Sequence, residues 1–181
     1  MDKRIMTFLS IYVPTYKRPK ALADCLASIE AQTDQDLEVV LIKDEIGIGI
    51  DGMYADIQNH IDEVHGDYVF VLSDDNLITD VDFVKRLKEV VDEYNPDVIV
   101  FKNEIVGILP SIWDAKPQLG HIDLSCFVVR SDIWKANADK WGKRYEGDYD
   151  FINSLWEQGY QFYWLDVVAV KAQRISRGQP E

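Results

Sequence analysis

Between residues 7 and 106, short runs of β-branched and aromatic residues alternate with segments of helical periodicity. Residues 7–13, Thr-Phe-Leu-Ser-Ile-Tyr-Val, stop at Pro14 and read as a buried strand. Residues 20–32 place Leu22, Cys25, Leu26 and Ile29 on one helical face. Residues 37–42 form a second strand, and the segment Gly47 to Gly52 leads into a helix with Met53, Ile57, Ile61 and Val64 on one side. A third strand, 67–72, runs into Ser73-Asp74-Asp75-Asn76. Thr79 or Asp80 then caps a helix carrying Val84, Leu87 and Val91, closed by Asn95-Pro96, and 98–106 is a fourth strand. Such alternation predicts an α/β fold with right-handed crossovers and a mostly parallel mixed sheet flanked by helices. Beyond it, residues 107–120 read as a loop with Pro110 and Pro117, 122–130 and 160–170 as strands, and 131–141 and 148–158 as helices. No repeat, linker or low-complexity stretch interrupts the chain. It reads as one domain over 1–181, with halves 7–106 and 107–170 and a basic tail at 171–181.

The 181 residues are 47% hydrophobic and 28% charged, a globular composition with room for one sizeable core. No apolar stretch approaches the roughly 20 residues of a membrane span. Met1-Asp2-Lys3-Arg4 leads into a strand-like run of about seven residues, so a secretory leader is not expected. Cys25 and Cys126 lie in apolar segments and match no metal spacing, so reduced core thiols and a cytoplasmic location are expected. The formal net charge of −13 is concentrated in residues 34–97, with 18 Asp and Glu against 4 Lys and Arg. That excess argues against a duplex nucleic-acid surface, which meets phosphates with Lys and Arg. Much of the acid also serves solubility on exposed helix faces.

In open parallel sheets, ligands bind beyond the carboxyl ends of the strands. Here those ends are Pro14 to Pro19, Lys43 to Asp51 and Ser73 to Asn76. Asp74 and Asp75 are adjacent carboxylates that repel unless a cation or N–H donors compensate. Pro14-Thr15-Tyr16-Lys17-Arg18-Pro19 offers hydroxyls, an aromatic face and two cations, suited to a base and a diphosphate. Taken singly, the first is also good turn chemistry and the second an ordinary loop. Asp44 is equally ambiguous alone. Convergence on one sheet edge raises all three.

With Ser10-Ile-Tyr-Val-Pro-Thr-Tyr-Lys-Arg-Pro19, Leu37-Glu-Val-Val-Leu-Ile-Lys-Asp44, Gly66-Asp-Tyr-Val-Phe-Val-Leu-Ser-Asp-Asp75 and Gly147-Asp-Tyr-Asp150, the chain resembles the family 2 glycosyltransferases of GT-A fold over about residues 7–165. The resemblance implies an inverting, metal-dependent transfer of a sugar from a nucleoside diphosphate sugar, most often a UDP-sugar, to an acceptor hydroxyl, as on a glycan. Pro14, Thr15, Tyr16 and Arg18 would line the nucleoside pocket, and Asp44 would accept from the base. Ser73-Asp74-Asp75 matches the family's Asp-x-Asp motif, with Asp74 near the ribose and donor and Asp75 ligating Mn²⁺ or Mg²⁺. A hard cation of that kind neutralises the charge growing on the diphosphate.

Several features depart from the family or extend the reading. Ser73 stands where the motif usually begins with Asp. Ile57 stands where many relatives place a donor-contacting Arg, leaving Lys17, Lys143, Arg144, Lys171, Arg174 and Arg177 as candidate phosphate partners. Many relatives carry membrane-associated helices or appended domains after the catalytic part; with the sequence stopping at Glu181, a minimal catalytic domain is expected. The family's Glu-Asp pair falls on Gly147-Asp148, which selects Asp148 as catalytic base, with Glu146 the runner-up and Asp150 structural. His121 and Asp123, alternating on a strand face, are further candidates, and Trp113 is an acceptor-site candidate. Two rivals are a sugar nucleotidyltransferase, which would carry a glycine-rich loop where Thr15 to Lys20 has none, and a non-catalytic nucleotide- or carbohydrate-binding module.

Overall fold

In the computed structural model, which describes residues 7–173, Leu9–Thr15 (β1) is buried at every position but its last. It pairs in parallel with Leu37–Lys43 (β2) on one side and Tyr68–Val71 (β3) on the other. Asn76–Ile78 (β4), Val98–Glu104 (β5), Ile108–Leu109 (β6), Phe127–Arg130 (β7) and Phe162–Ala172 (β8) complete the sheet. Its order is β2-β1-β3-β7-β5-β8-β4, with β6 on β5. β7 is antiparallel to both β3 and β5, β8 is parallel to β5, and β4 and β6 are antiparallel to their partners. β1, β2, β3, β5 and β8 therefore all point one way. The segments on either side of residue 106 interleave, because β7 lies between β3 and β5.

Strand alternation sends side chains to opposite faces, and each face has its own core. On one, Leu9, Ile11, Phe70 and Phe101 pack against Pro19–Glu30 (α1) and Phe83–Tyr94 (α3) through Cys25, Ile29, Phe83, Val84 and Leu87. On the other, Tyr12, Val69, Phe127 and Val129 meet Gly49–Asp56 (α2), Ser131–Ala136 (α4) and Gly147–Glu157 (α5) through Tyr54, Ile133, Trp134, Phe151 and Leu155. Cys25 and Cys126 are buried thiols in opposite cores. No helix among the described residues is long and apolar enough to cross a membrane.

Four expected elements are corrected. The helix read over 53–64 is α2 followed by a 3₁₀ stretch, Ile57–Glu63, whose Asn, His and Asp are poor helix formers. His60 there bridges Asp56 and Glu63. Neither Thr79 nor Asp80 is the N-cap of α3. The helix starts at Phe83 after Asp82, because the N–H groups of Thr79 and Asp80 are held by the Ala169 carbonyl where β4 leaves β8. Its end is as read, with Asn95 left-handed at φ 45° before Pro96. The strand read over 122–130 begins at Phe127. Leu124–Cys126 is a 3₁₀ turn whose Ser125 N–H donates to Asp123 Oδ1 at 3.0 Å. The helix read over 131–141 stops at Ala136, and Ala138–Lys140 is a separate 3₁₀ turn.

The rings of Phe70, Phe83 and Phe101 meet edge to face at 4.7–5.8 Å, and Phe83 and Phe101 are fully buried. Phe101→Ala should therefore cost about 3–5 kcal/mol and lower Tm by roughly 6–20 °C in a thermal melt.

Candidate active site

The co-directional strands all deliver their carboxyl ends to one cavity of about 590 Å³. β1 contributes Pro14 and Thr15, β2 leads to Asp44, β3 to Ser73–Asn76, β5 to Ile105 and Val106, and β8 to Ala172 and Gln173. The cavity also holds Tyr16, Arg18 and Asp148, so all eight site residues expected from the sequence line it.

At its floor is the turn after β3. The Asn76 N–H donates to the Ser73 carbonyl at 2.9 Å, so the four residues are both a β-turn and part of the site. Gln173 pins the turn: its N–H donates to the Asp75 carbonyl at 2.7 Å and its side-chain amide to the Asp74 carbonyl at 3.2 Å. Asp74, only 3% exposed, accepts from Thr15 Oγ1 at 2.7 Å and from Arg18 Nη1 at 2.9 Å. The same Arg18 nitrogen lies 3.3 Å from Asp75 Oδ2. Burial raises the Asp74 pKa, while the Thr15 hydroxyl and the Arg18 guanidinium oppose the shift. Thr15, Arg18 and Asp74 are thus bound to one another on the cavity wall.

Asp44 organises its own loop. Its Oδ1 accepts from the Ile46 and Gly47 N–H groups at 2.9 and 2.7 Å, and Oδ2 from Ile48 N–H at 2.7 Å. A carboxylate has about four acceptor positions, so one remains for a ligand. Gly47, at φ +84°, lets Tyr16 approach, since a Cβ there would lie 2.8 Å from the Tyr16 hydroxyl.

Asp148 is the second residue of α5, and its Oδ1 accepts from the Tyr149 N–H at 2.7 Å. Burial first, and then the Asp123 charge, push its pKa up to about 7. Beside it, the Tyr54 hydroxyl is held protonated by burial and by the charges of Asp148 and Asp123. Tyr54 also accounts for Gly147. A Cβ at 147 would sit 2.5 Å from the Tyr54 ring and 2.4 Å from the Gly142 carbonyl. No side chain fits where the family places its first acid. The Tyr54, Trp141 and Phe151 rings stack beneath this helix start, at 5.4 and 4.1 Å. Asp150 is structural, as expected, held by two hydrogen bonds from Arg144 at 2.8 and 2.6 Å. Glu146 lines the cavity as the residue before α5.

A polar network escaped the sequence reading. Asn103, fully buried, donates through its amide to Asn76 Oδ1 at 3.3 Å and Asp123 Oδ1 at 3.2 Å. Asn76 in turn donates to Asp75 Oδ1 at 3.2 Å. The carboxylate beside the turn is thereby linked to the one beside Asp148. Asn103 lies between Lys102 and Glu104 at the polar end of β5, so its order in the sequence does not mark it as buried. Tyr145 and Tyr149 complete the wall near Asp148.

Other candidates lie elsewhere. Asp123 reaches the cavity, but His121 does not, since the segment is a turn rather than a strand; His121 Nδ1 lies 2.7 Å from Ser111 Oγ. Trp113 packs edge to face on Trp164 at 5.1 Å, outside the cavity. Ile57 is fully buried in the core. Of the candidate phosphate partners, Lys17 lies over the Tyr16 ring at 4.9 Å, Arg144 holds Asp150, Lys171 pairs with Glu104 at 3.2 Å, and none of these nor Lys143 lines the cavity. Arg174 and Arg177 lie outside the described residues. No cluster of three or more His, Cys, Asp or Glu among the described residues is arranged to hold a metal unaided.

The raised pKa of Asp148 has a stability consequence. An acid whose folded pKa exceeds its unfolded value of about 3.9 stabilises the fold at low pH and loses that contribution as pH rises through about 7. Asp148→Asn, which mimics the protonated form, should gain Tm relative to the parent between pH 4 and pH 8. In an Asp123→Asn background the gain should shrink, because the like charge is gone. A Tm difference independent of pH would contradict the burial of an ionisable Asp148.

Residues 10–45, from β1 through Asp44, match the family model described as glycosyl transferase family 2. No curated protein sequence matches the chain. Among solved structures, TarS 1-349 from S. aureus superposes with a TM-score of 0.69 and 17% identity, over 92% of this chain and 60% of that one. Its complex with UDP-GlcNAc gives 0.69 and 17%, over 93% and 59%. A197 from STIV gives 0.58 and 15%, over 93% and 86%. The chain thus spans about 60% of the length of TarS 1-349. The β1-to-Asp44 segment is thus similar in sequence to the family 2 glycosyltransferases, and the fold of the chain is GT-A.

Proposed function

We propose that this protein transfers a sugar from a nucleoside diphosphate sugar, a UDP-sugar by preference, to an acceptor hydroxyl with inversion, and that it works in the cytoplasm. The observation that carries the reading is the meeting of Thr15, Arg18, Asp44, Asp74, Asp75 and Asp148 in one cavity at the strand ends. The nucleotide preference draws on TarS, whose structures include complexes with UDP and UDP-GlcNAc. Buried thiols suit a reducing compartment.

The donor set fits a divalent cation of the Mn²⁺ or Mg²⁺ kind. Such ions are commonly held by one or two carboxylates together with substrate phosphates. Asp75 lines the cavity with its side chain 19% exposed, and each of its oxygens keeps acceptor capacity beyond its Asn76 or Arg18 contact. Bound there, the ion would neutralise charge on the leaving diphosphate. Asp44 and Tyr16 would orient the base, and Asp74 would hold Thr15 and Arg18 in place. Asp148 would take the proton of the acceptor hydroxyl as that oxygen bonds to the anomeric carbon and the bond to the diphosphate breaks on the opposite face. A base with pKa near the working pH combines the correct protonation state with driving force, worth roughly 10²–10⁴-fold.

Asp148→Asn should lower turnover about a hundredfold or more with donor affinity little changed. In the parent, kcat/KM should climb as pH rises to about 7 and then level off. If Asp148→Asn transfers normally and Glu146→Gln is inactive, the base is Glu146. In a thermal-shift titration, Asp75→Ala should lose the Mn²⁺ enhancement of UDP binding, whereas Asp44→Ala should bind UDP more weakly with that enhancement retained. Unchanged metal dependence in Asp75→Ala would remove Asp75 from the cation site.

A further inference from the structure

Among the described residues, Arg18 is the sole Lys or Arg lining the cavity. Its guanidinium does not reach out into that space. It is 8% exposed and bridges the adjacent carboxylates, 2.9 Å from Asp74 and 3.3 Å from Asp75. We infer that Arg18 is an internal counter-ion for Asp74 and Asp75 that makes cation binding depend on the arrival of the nucleoside diphosphate. The inference rests on the reading of Asp75 as a cation ligand.

The physical case is one of competing charges. Two carboxylates with a guanidinium between them carry one net negative charge, so a dication arriving alone meets half the charge the pair would otherwise offer. To draw fully on the pair it has to displace a charge-assisted contact in a poorly hydrated place, which is costly when a buried partner is left unpaired. A diphosphate alters both sides of that balance. Its oxygens complete the ligand set of an ion held by one carboxylate. They also offer the guanidinium fork a second planar-to-tetrahedral anionic partner of the kind Arg binds in bidentate fashion. The positive charge that many relatives place on the helix at position 57 is absent, because Ile57 is packed in the core. Arg18 can supply that charge from β1's loop once nucleotide is present. Loop and turn are held for this: Thr15 and Arg18 flank the carboxylates on one side, and Gln173 fixes their backbone on the other.

The test is Mn²⁺ affinity, read from the electron paramagnetic resonance signal of free Mn²⁺ without nucleotide, in the parent, Arg18→Met and Asp75→Ala, with folding checked by circular dichroism. Arg18→Met should bind Mn²⁺ alone about tenfold or more tightly than the parent, and should bind UDP at saturating Mn²⁺ about tenfold or more weakly. Equal or weaker Mn²⁺ binding in Arg18→Met overturns the counter-ion role. Adding Asp75→Ala to Arg18→Met separates the two readings: loss of the gained affinity supports Asp75 as ligand, and its survival places the ion elsewhere and overturns both. Should Arg18→Met not fold, Arg18→Met with Asp74→Asn removes one charge of each sign. It should then bind Mn²⁺ more tightly than Asp74→Asn alone, and equal affinity overturns the proposal.

Discussion

Parallel pairing of β1 with β2 and β3 fixes the rest of the molecule. A parallel ladder requires a crossover for each return of the chain, which places α1 and α2 on opposite faces and leaves the strand ends on one edge. The antiparallel β7, inserted between β3 and β5, keeps β5 and β8 in the same direction as β1. Five carboxyl ends then meet at one place. Backbone at the end of a strand has no further ladder partner, so polar side chains and turns gather there at little cost to the core.

That edge concentrates negative charge under a poorly hydrated wall, and each carboxylate is handled differently. Asp74 is paired with Arg18 and hydrogen-bonded by Thr15, and Asp44 is hydrogen-bonded by three amide groups of its loop. Asp75 keeps access to the cavity. Asp148 is desolvated by burial and sits near Asp123, so its proton is held until about pH 7. These acids thus differ in burial and in their partners. This separation allows acids on one wall to take different roles, whether binding a cation or accepting a proton.

Much of this was legible in the residues. The strands at 9–15, 37–43 and 68–71 and the helices at 19–30 and 83–94 follow from apolar periodicity, with boundaries displaced by a few residues. Seven of the eight residues expected in the site stand in segments that end or follow a strand, whereas Asp148, at the start of α5, is reached only through the family resemblance. Less legible were the parts that depend on distant partners. β4 is three residues long and exists because Ala172 to Val170 pair with it. The Leu124–Cys126 turn replaces the start of a strand because Asp123 captures the Ser125 N–H and also accepts from Asn103 of β5.

The sequence by itself determined the principal strands, the apolar faces of α1 and α3, and which polar residues follow the strands. Those properties are local, set by side-chain shape and spacing. Tertiary structure alone decided that β7 separates β3 from β5, that Arg18 is spent on Asp74 and Asp75, and that Gly147 cannot carry a side chain because Tyr54 lies against it. It also decided the protonation of Asp148, because desolvation and a neighbouring charge act through space and have no signature in the order of residues.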